Sequence, residues 1–357
     1  VDPDRVPGSQ AGPTTPPPSE SADTATSEPP DPCVPTDPAV VAACLDAPWG
    51  LAVLPNGTSA LVGERKTGRI LTVTAAGQGV PWAKPKLVTT IKDLDSSGTG
   101  GLLGIALPPS YAEDGLVYLY VTTATDNRIL RMAAGDTPKA IFTGIPKGDT
   151  HNGGRITFGA DGYLYIATGD AGDATAAADP ASLAGKILRI DEFGNPVGDD
   201  KATTAEQSPV YASGLTDPTG LCVLPTGQIG VIEPKKSADV LITVQTGADL
   251  AKAKGLWSYP RADGGAVDCA GGGTDITTTS LDGRSATTLT LTQSGAFKGE
   301  PTVKVKDEYG RLLTAAPGAS NSVWITTSNK DGKGKPEDSD DRVIILPDSG
   351  ASGGGVD

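Results

Sequence analysis

The chain has 357 residues, with 47 glycines, 30 prolines and only 4% aromatic side chains, a composition that favours many turns and short strands over long helices. Its 43 acidic and 29 basic residues leave a net charge of −14, which argues against binding to nucleic acid or to an anionic membrane surface. No apolar run approaches the roughly 18 residues of a membrane-spanning helix.

Residues 1–32 hold nine prolines among Ser, Thr, Asp and Glu, too polar a stretch to bury a core, and read as a disordered tether. A spacer of this kind commonly succeeds a removed signal peptide, with or without a lipid-bearing cysteine. The expectation is therefore an extracytoplasmic, secreted or envelope-anchored monomer. Residues 33–347 form the folded body, and residues 348–357 a Gly/Ser tail. The four cysteines, Cys33, Cys44, Cys222 and Cys269, contain no Cys-x-x-Cys and have a single histidine for company. Disulfides fit better than zinc. Three pairings exist on paper; Cys33–Cys44 and Cys222–Cys269 each staple neighbouring segments, and disulfides imply an oxidising compartment.

From residue 45 to 347 one pattern recurs: apolar strand, Pro/Gly turn, alternating strand, polar gap, alternating strand. Copies begin near Gly50, Leu103, Arg155 and Gly220; a weaker fifth runs from Asp275 through Thr287, and a sixth holds Ser322-Val-Trp-Ile-Thr-Thr. Asn56-Gly57, Asp161-Gly162, Thr226-Gly227 and Asp282-Gly283 supply hairpin turns. Six copies of about 50 residues predict an all-β, six-bladed β-propeller of four-stranded antiparallel blades, in preference to two stacked sandwiches. Helix is expected only as single turns near Asp179 and Ala248.

The only histidine, His151, sits in a glycine-rich loop entering a strand, where a rigid scaffold presents functional groups. The Asp170, Asp173, Asp179 loop and the run Asp331 to Asp341 read as solvated turns. Gly98-Thr-Gly-Gly-Leu-Leu-Gly leads into a strand, so it is no dinucleotide loop.

Gly100-Gly-Leu-Leu-Gly-Ile-Ala-Leu-Pro, His151-Asn-Gly-Gly-Arg-Ile-Thr-Phe-Gly-Ala-Asp-Gly and Ser182-Leu-Ala-Gly-Lys-Ile-Leu-Arg-Ile resemble the glucose/sorbosone dehydrogenase family. The tether and cysteine placement resemble more narrowly the actinobacterial LppZ-type lipoproteins. The family resemblance implies a propeller that oxidises aldoses with pyrroloquinoline quinone (PQQ) and calcium. It makes His151 the general base and places Arg311, Asn152, Asp217, Trp257 and Tyr259 at the cofactor, with Gly220 and Pro234 near the calcium-binding carbonyls. Departures from the family pattern are concentrated at this site. Leu313 stands where a second arginine is expected, and Thr216-Asp217-Pro218-Thr219-Gly220 replaces Arg-Asn-Pro-Gln-Gly. Glu233-Pro234 is all that is left of Glu-His-Gly. PQQ carries three carboxylates, so losing cations predicts weak or absent binding. Two functions remain open: a quinoprotein sugar dehydrogenase with a depleted cofactor site, or a non-catalytic propeller binding an envelope ligand or protein.

Overall fold

The structure is a computed structural model that describes residues 12, 30–77, 81–197, 208–292 and 294–348. The chain divides into two units, Val1–Asp31 and Pro32–Asp357. The expected tether, apart from Gly12 and residues 30–32, and the tail beyond Asp348 lie outside the described residues.

Among the described residues the second unit builds six four-stranded antiparallel sheets. Blade 1 comprises Pro48–Val53, Ser59–Glu64, Arg69–Thr74 and Lys86–Thr90, and blade 2 Leu102–Ala106, Leu116–Thr122, Asn127–Ala133 and Lys139–Ile145. Blade 3 comprises Arg155–Phe158, Leu164–Ala167, Lys186–Ile190 and Val210–Ser213, and blade 4 Gly220–Val223, Ile229–Pro234, Ala238–Thr243 and Trp257–Pro260. Blade 5 runs through Asp268–Gly272, Asp275–Ser280, Ser285–Thr290 and Thr302–Lys306. Blade 6 takes Leu312–Pro317, Val323–Thr327 and Val343–Leu346 from the C-terminal end of the fold and Val40–Ala42 from its start.

The first strands of successive blades touch one another around the ring, and that of blade 6 touches that of blade 1. This is the propeller expected from the repeat. Burial follows position: Leu164–Ala167, sandwiched between neighbouring blades, is buried throughout, whereas the outer strand Lys139–Ile145 is mostly exposed. Closure by Val40–Ala42 stitches the two ends of the propeller together. Both expected disulfides are present, Cys33–Cys44 beside that closing strand and Cys222–Cys269 between the first strands of blades 4 and 5.

Three local expectations are corrected. The fifth copy begins one strand earlier than its sequence suggests, at Asp268; Asp282-Gly283 therefore joins the second and third strands, and Arg284, not Gly283, takes the left-handed conformation (φ 49°). The α-helical turns among the described residues are Tyr111–Asp114 and Ala174–Ala178, the latter capped by Asp173, which accepts the Thr175 and Ala176 N–H groups, and 3-10 turns form at Arg261–Asp263 and Ala319–Asn321; none forms at Ala248. The segment from Asp331 to Asp341 is not wholly solvated: Asp340 and Asp341 are buried, and Asp341 accepts the Asn329 N–H at 2.5 Å.

Candidate functional site

Four antiparallel strands return the chain to the end where it started, so every loop that enters a first strand lies at one end of the ring. His151 and Arg311 precede the first strands of blades 3 and 6 and therefore share that end.

The His151 loop is held from beneath by Asn152. That side chain is buried; its Nδ2 donates to Thr99 Oγ1 (2.9 Å) and the Gly148 carbonyl (2.7 Å), while its Oδ1 accepts from Asn127 Nδ2 (3.0 Å) and the Gly148 N–H (3.0 Å). The Tyr120 hydroxyl donates to the Asn152 carbonyl at 2.8 Å. Asn152 thus spends its polar atoms on the loop. Glycine is required around it: a Cβ on Gly153 (φ +67°) would meet the Ala167 carbonyl at 2.5 Å, and one on Gly169 would fall 1.9 Å from the His151 carbonyl. His151 itself is held at φ 55°, a conformation costly for a non-glycine residue and common at functional sites.

His151 Nδ1 lies 2.8 Å from Asp170 Oδ1, an oxygen that also accepts the Gly172 N–H at 2.7 Å. Asp170 is further fixed by its own N–H, which donates to the Thr216 carbonyl at 2.8 Å. A carboxylate only accepts, so the shared hydrogen belongs to Nδ1, and in the neutral ring the Nε2 lone pair is the acceptor. The imidazole is about one-third exposed. Asp170, expected in a solvated turn, is buried and orients the histidine; Asp173 and Asp179 do serve as turn and cap residues.

Asp217 lies in electrostatic reach of both His151 and Asp170. Burial raises its pKa, His151 opposes that rise and Asp170 adds to it. Beneath the same loop, Glu233 is completely buried; its Oε1 accepts the Thr216 N–H at 2.8 Å and its Oε2 has no partner. Burial pushes its pKa up to about 7 against the Thr216 N–H and Lys235. Two carboxylates, Asp170 and Asp217, thus act on His151.

The floor of this end is Arg155, four residues after His151. Its Nε donates to the Thr219 carbonyl (2.6 Å), its Nη1 reaches Thr314 Oγ1 (2.8 Å) and Asp268 Oδ2 (2.9 Å), and its guanidinium carbon stacks 3.8 Å above the Trp49 ring. Asp268 Oδ2 also accepts the Ala315 N–H at 3.0 Å. One buried guanidinium thereby joins blades 1, 3, 4, 5 and 6. A cavity of about 220 Å³ elsewhere on the axis is lined by the first strands of all six blades, including Cys222 and Cys269.

The remaining expected site residues are dispersed. Arg311 is buried and committed to Asp282 (2.7 Å) and Asp331 (2.8 Å), in a polar cavity of about 440 Å³ between blades 5 and 6 whose lining does not include His151. The expectation that base and arginine face one cavity is therefore corrected; the arginine has been claimed by carboxylates from two neighbouring loops. Trp257 and Tyr259 lie on the outer strand of blade 4. Trp257 stands edge-on to Phe297 at 4.9 Å, and Tyr259 packs with Cys222, Cys269 and Ile276 between blades. Alternation along that strand turns both inward to the blade interface. Gly220 and Pro234 lie on paired strands beside Glu233, with Gly220 opposite Ile232. Among the described residues no three His, Cys, Asp or Glu side chains are grouped to hold a metal.

Comparison with known proteins bears on this geometry. Residues 45–250 match the model of the glucose/sorbosone dehydrogenase family. The chain belongs to that family. It is 31% identical over 199 residues to the aldose sugar dehydrogenase YliI of Escherichia coli, covering 51% of each protein, and 25% identical over 240 residues to quinoprotein glucose dehydrogenase B of Acinetobacter calcoaceticus, covering 57% of this chain and 49% of that one. The chain thus spans about half the length of the curated relatives it matches. The PQQ-bound aldose sugar dehydrogenase of Streptomyces coelicolor is similar in structure, with a TM-score of 0.77, 33% identity, and coverage of 86% of this chain and 96% of that one.

Two residues escaped sequence reasoning. Arg155 was visible in the His-Asn-Gly-Gly-Arg motif, but its axial position depends on ring closure. Glu233 read as the remnant of a motif, with no signal that it would be buried under the Asp217 loop.

Proposed function

We propose that this chain is an extracytoplasmic propeller of the sugar dehydrogenase type in which His151 accepts the proton of a sugar hydroxyl. The observation that carries the reading is the His151–Asp170 contact at 2.8 Å, which fixes the tautomer of the neutral ring and leaves Nε2 as its acceptor on a side chain about one-third exposed. A neutral imidazole in that state is the base such a hydroxyl requires. The two disulfides support an oxidising compartment.

PQQ does not fit the residues present. A tricarboxylate calls for guanidinium or ammonium partners, yet the carboxylates beside His151 are Asp170 and Asp217, Lys147 is paired with Asp95, and Arg311 is paired with two aspartates. No oxidation step is therefore derived through the quinone, and weak or absent PQQ binding is expected. The same carboxylates favour a second reading, a propeller that binds an envelope ligand or protein without turnover.

Titration with PQQ and calcium, followed by aldose-dependent dye reduction with wild type and His151→Ala, separates the two. Measurable reduction that the substitution abolishes supports the enzyme. Tight PQQ binding overturns the reading of the cofactor site, and no binding at high cofactor concentration leaves the ligand-binding propeller.

A further inference from the structure

We propose that Glu233 is a positioning residue for His151, acting through the Thr216 backbone and Asp170 to keep the ring proton on Nδ1. The inference rests on the reading of His151 as the base and names the residue that keeps Nε2 free for a hydroxyl proton.

Three hydrogen bonds connect the two side chains. Glu233 Oε1 accepts the Thr216 N–H, the Thr216 carbonyl accepts the Asp170 N–H, and Asp170 Oδ1 accepts the His151 Nδ1 proton, each at 2.8 Å. Residue 216 is thereby gripped on both its peptide groups, one by the second strand of blade 4 and the other by the loop that leaves the second strand of blade 3. The far end of the same segment is fixed as well: Arg155 Nε donates to the Thr219 carbonyl, and the Thr219 N–H donates to the Ile232 carbonyl. The backbone of Asp170 is therefore seated on a segment anchored at both ends.

The repeat shows what is particular to Glu233. Gly50-Leu-Ala-Val-Leu-Pro and Gly220-Leu-Cys-Val-Leu-Pro open equivalent blades, and four residues before each glycine stand Asp46 and Thr216. Each offers its N–H to a fully buried glutamate at the end of its blade's second strand, Glu64 in blade 1 at 2.9 Å and Glu233 in blade 4. Glu64 is also bonded to Thr67 and Arg69. Glu233 has Val240 opposite it on the third strand, and its Oε2 is without a partner. A carboxylate buried for a single peptide N–H is costly, and an apolar side chain there would cost less. The bonds of Glu64 lead to Asp46, Thr67 and Arg69, whereas those of Glu233 continue through Thr216 and Asp170 to the histidine.

His151 is the single histidine of the chain, so its ring nitrogens give one pair of imidazole NMR signals. At alkaline pH their shifts report which nitrogen of the neutral ring holds the proton. Wild type is expected to show a protonated Nδ1 and a bare Nε2. Asp170→Ala, which removes the direct partner, should move the tautomer ratio about ten- to a hundredfold towards Nε2–H, the effect of one charge-assisted bond. Glu233→Met, similar in length but without an acceptor, should move it the same way by about two- to tenfold, the effect of one ordinary bond. Glu233→Gln, whose amide oxygen can still take the Thr216 N–H, should keep the wild-type ratio. Glu64→Met, which cuts the equivalent bond in blade 1, should lower the melting temperature without moving the ratio. Should Glu233→Met fail to fold, Glu233→Asp keeps the charge one methylene short of Thr216 and gives the same reading. An unchanged ratio in Asp170→Ala or in folded Glu233→Met or Glu233→Asp, a Glu233→Gln ratio as displaced as theirs, or an equal displacement in Glu64→Met would each overturn the proposal. The readout needs neither substrate nor cofactor, so a displaced ratio without dye reduction by wild type would leave the proposal standing while refuting the dehydrogenase.

Discussion

Replacing Asp268 by asparagine should be among the most damaging single changes in this fold, although neither Asp268 nor Arg155 is close to its partner in sequence. The guanidinium of Arg155 is about 6% exposed and meets one carboxylate, at 2.9 Å, together with Thr314 Oγ1 and the Thr219 carbonyl. Asparagine keeps an oxygen for the Ala315 N–H but leaves a buried guanidinium that cannot deprotonate. Breaking one partner of such a pair costs about 3–5 kcal/mol. The reverse change, Arg155→Met, differs in kind because an aspartate can neutralise itself. Burial already holds the Asp268 pKa up at about 6 against the favourable charge of Arg155, and removing that charge raises it further. Since its folded pKa lies above the unfolded one, Asp268 favours the folded state at low pH, and that contribution is lost as pH rises through the folded value. Arg155→Met should therefore be mildly destabilising near pH 5 and progressively worse towards pH 8, whereas the Asp268→Asn penalty should shrink over the same window, because the variant lacks the group whose contribution wild type loses. Urea unfolding followed by tryptophan fluorescence measures both, provided the dependence on denaturant is unchanged. An Asp268→Asn penalty below about 1 kcal/mol near pH 5, or one that grows with pH as that of Arg155→Met does, would refute the account of the axial pair.

Glu233→Gln tests the buried acid. Because the Glu233 pKa is raised from 4.5 to about 7, wild type should lose stability relative to the variant as pH rises across that window, by up to roughly 3 kcal/mol; superimposable pH profiles would contradict this. The two disulfides should differ in worth. Chain entropy assigns about 4 kcal/mol to Cys222–Cys269, with a sequence separation of 47, and about 3 kcal/mol to Cys33–Cys44, with a separation of 11. Thermal melts of the paired serine variants should rank them in that order, and the reverse ranking would show that Cys33–Cys44 acts chiefly by tethering the strand Val40–Ala42.

Local chemistry made much of this protein legible in its sequence. Period-two alternation and X-Gly turns announced hairpins, their sixfold recurrence announced a propeller, and an even set of cysteines without ligand partners announced disulfides. His-Asn-Gly-Gly announced a constrained loop, since at Gly153 a side chain would strike the Ala167 carbonyl. Other features depend on what ring closure brings together. Val40–Ala42 carries no hairpin signal, because its partner Val343–Leu346 lies some 300 residues away. Asp170 could be read only as a turn residue until the loop folded back to put it on His151 Nδ1. Arg311 looked available to a ligand because sequence does not show that Asp282 and Asp331, on two other loops, converge on it. Trp257 and Tyr259 looked like pocket walls, but their alternation places them in the seam between blades 4 and 5. Charge is the clearest case: the sequence showed that cations were missing and set Asp217 at the site, and the tertiary structure alone buried Glu233 against the Thr216 N–H of the same loop. Side chains from separate blades share a local potential only once the ring has closed.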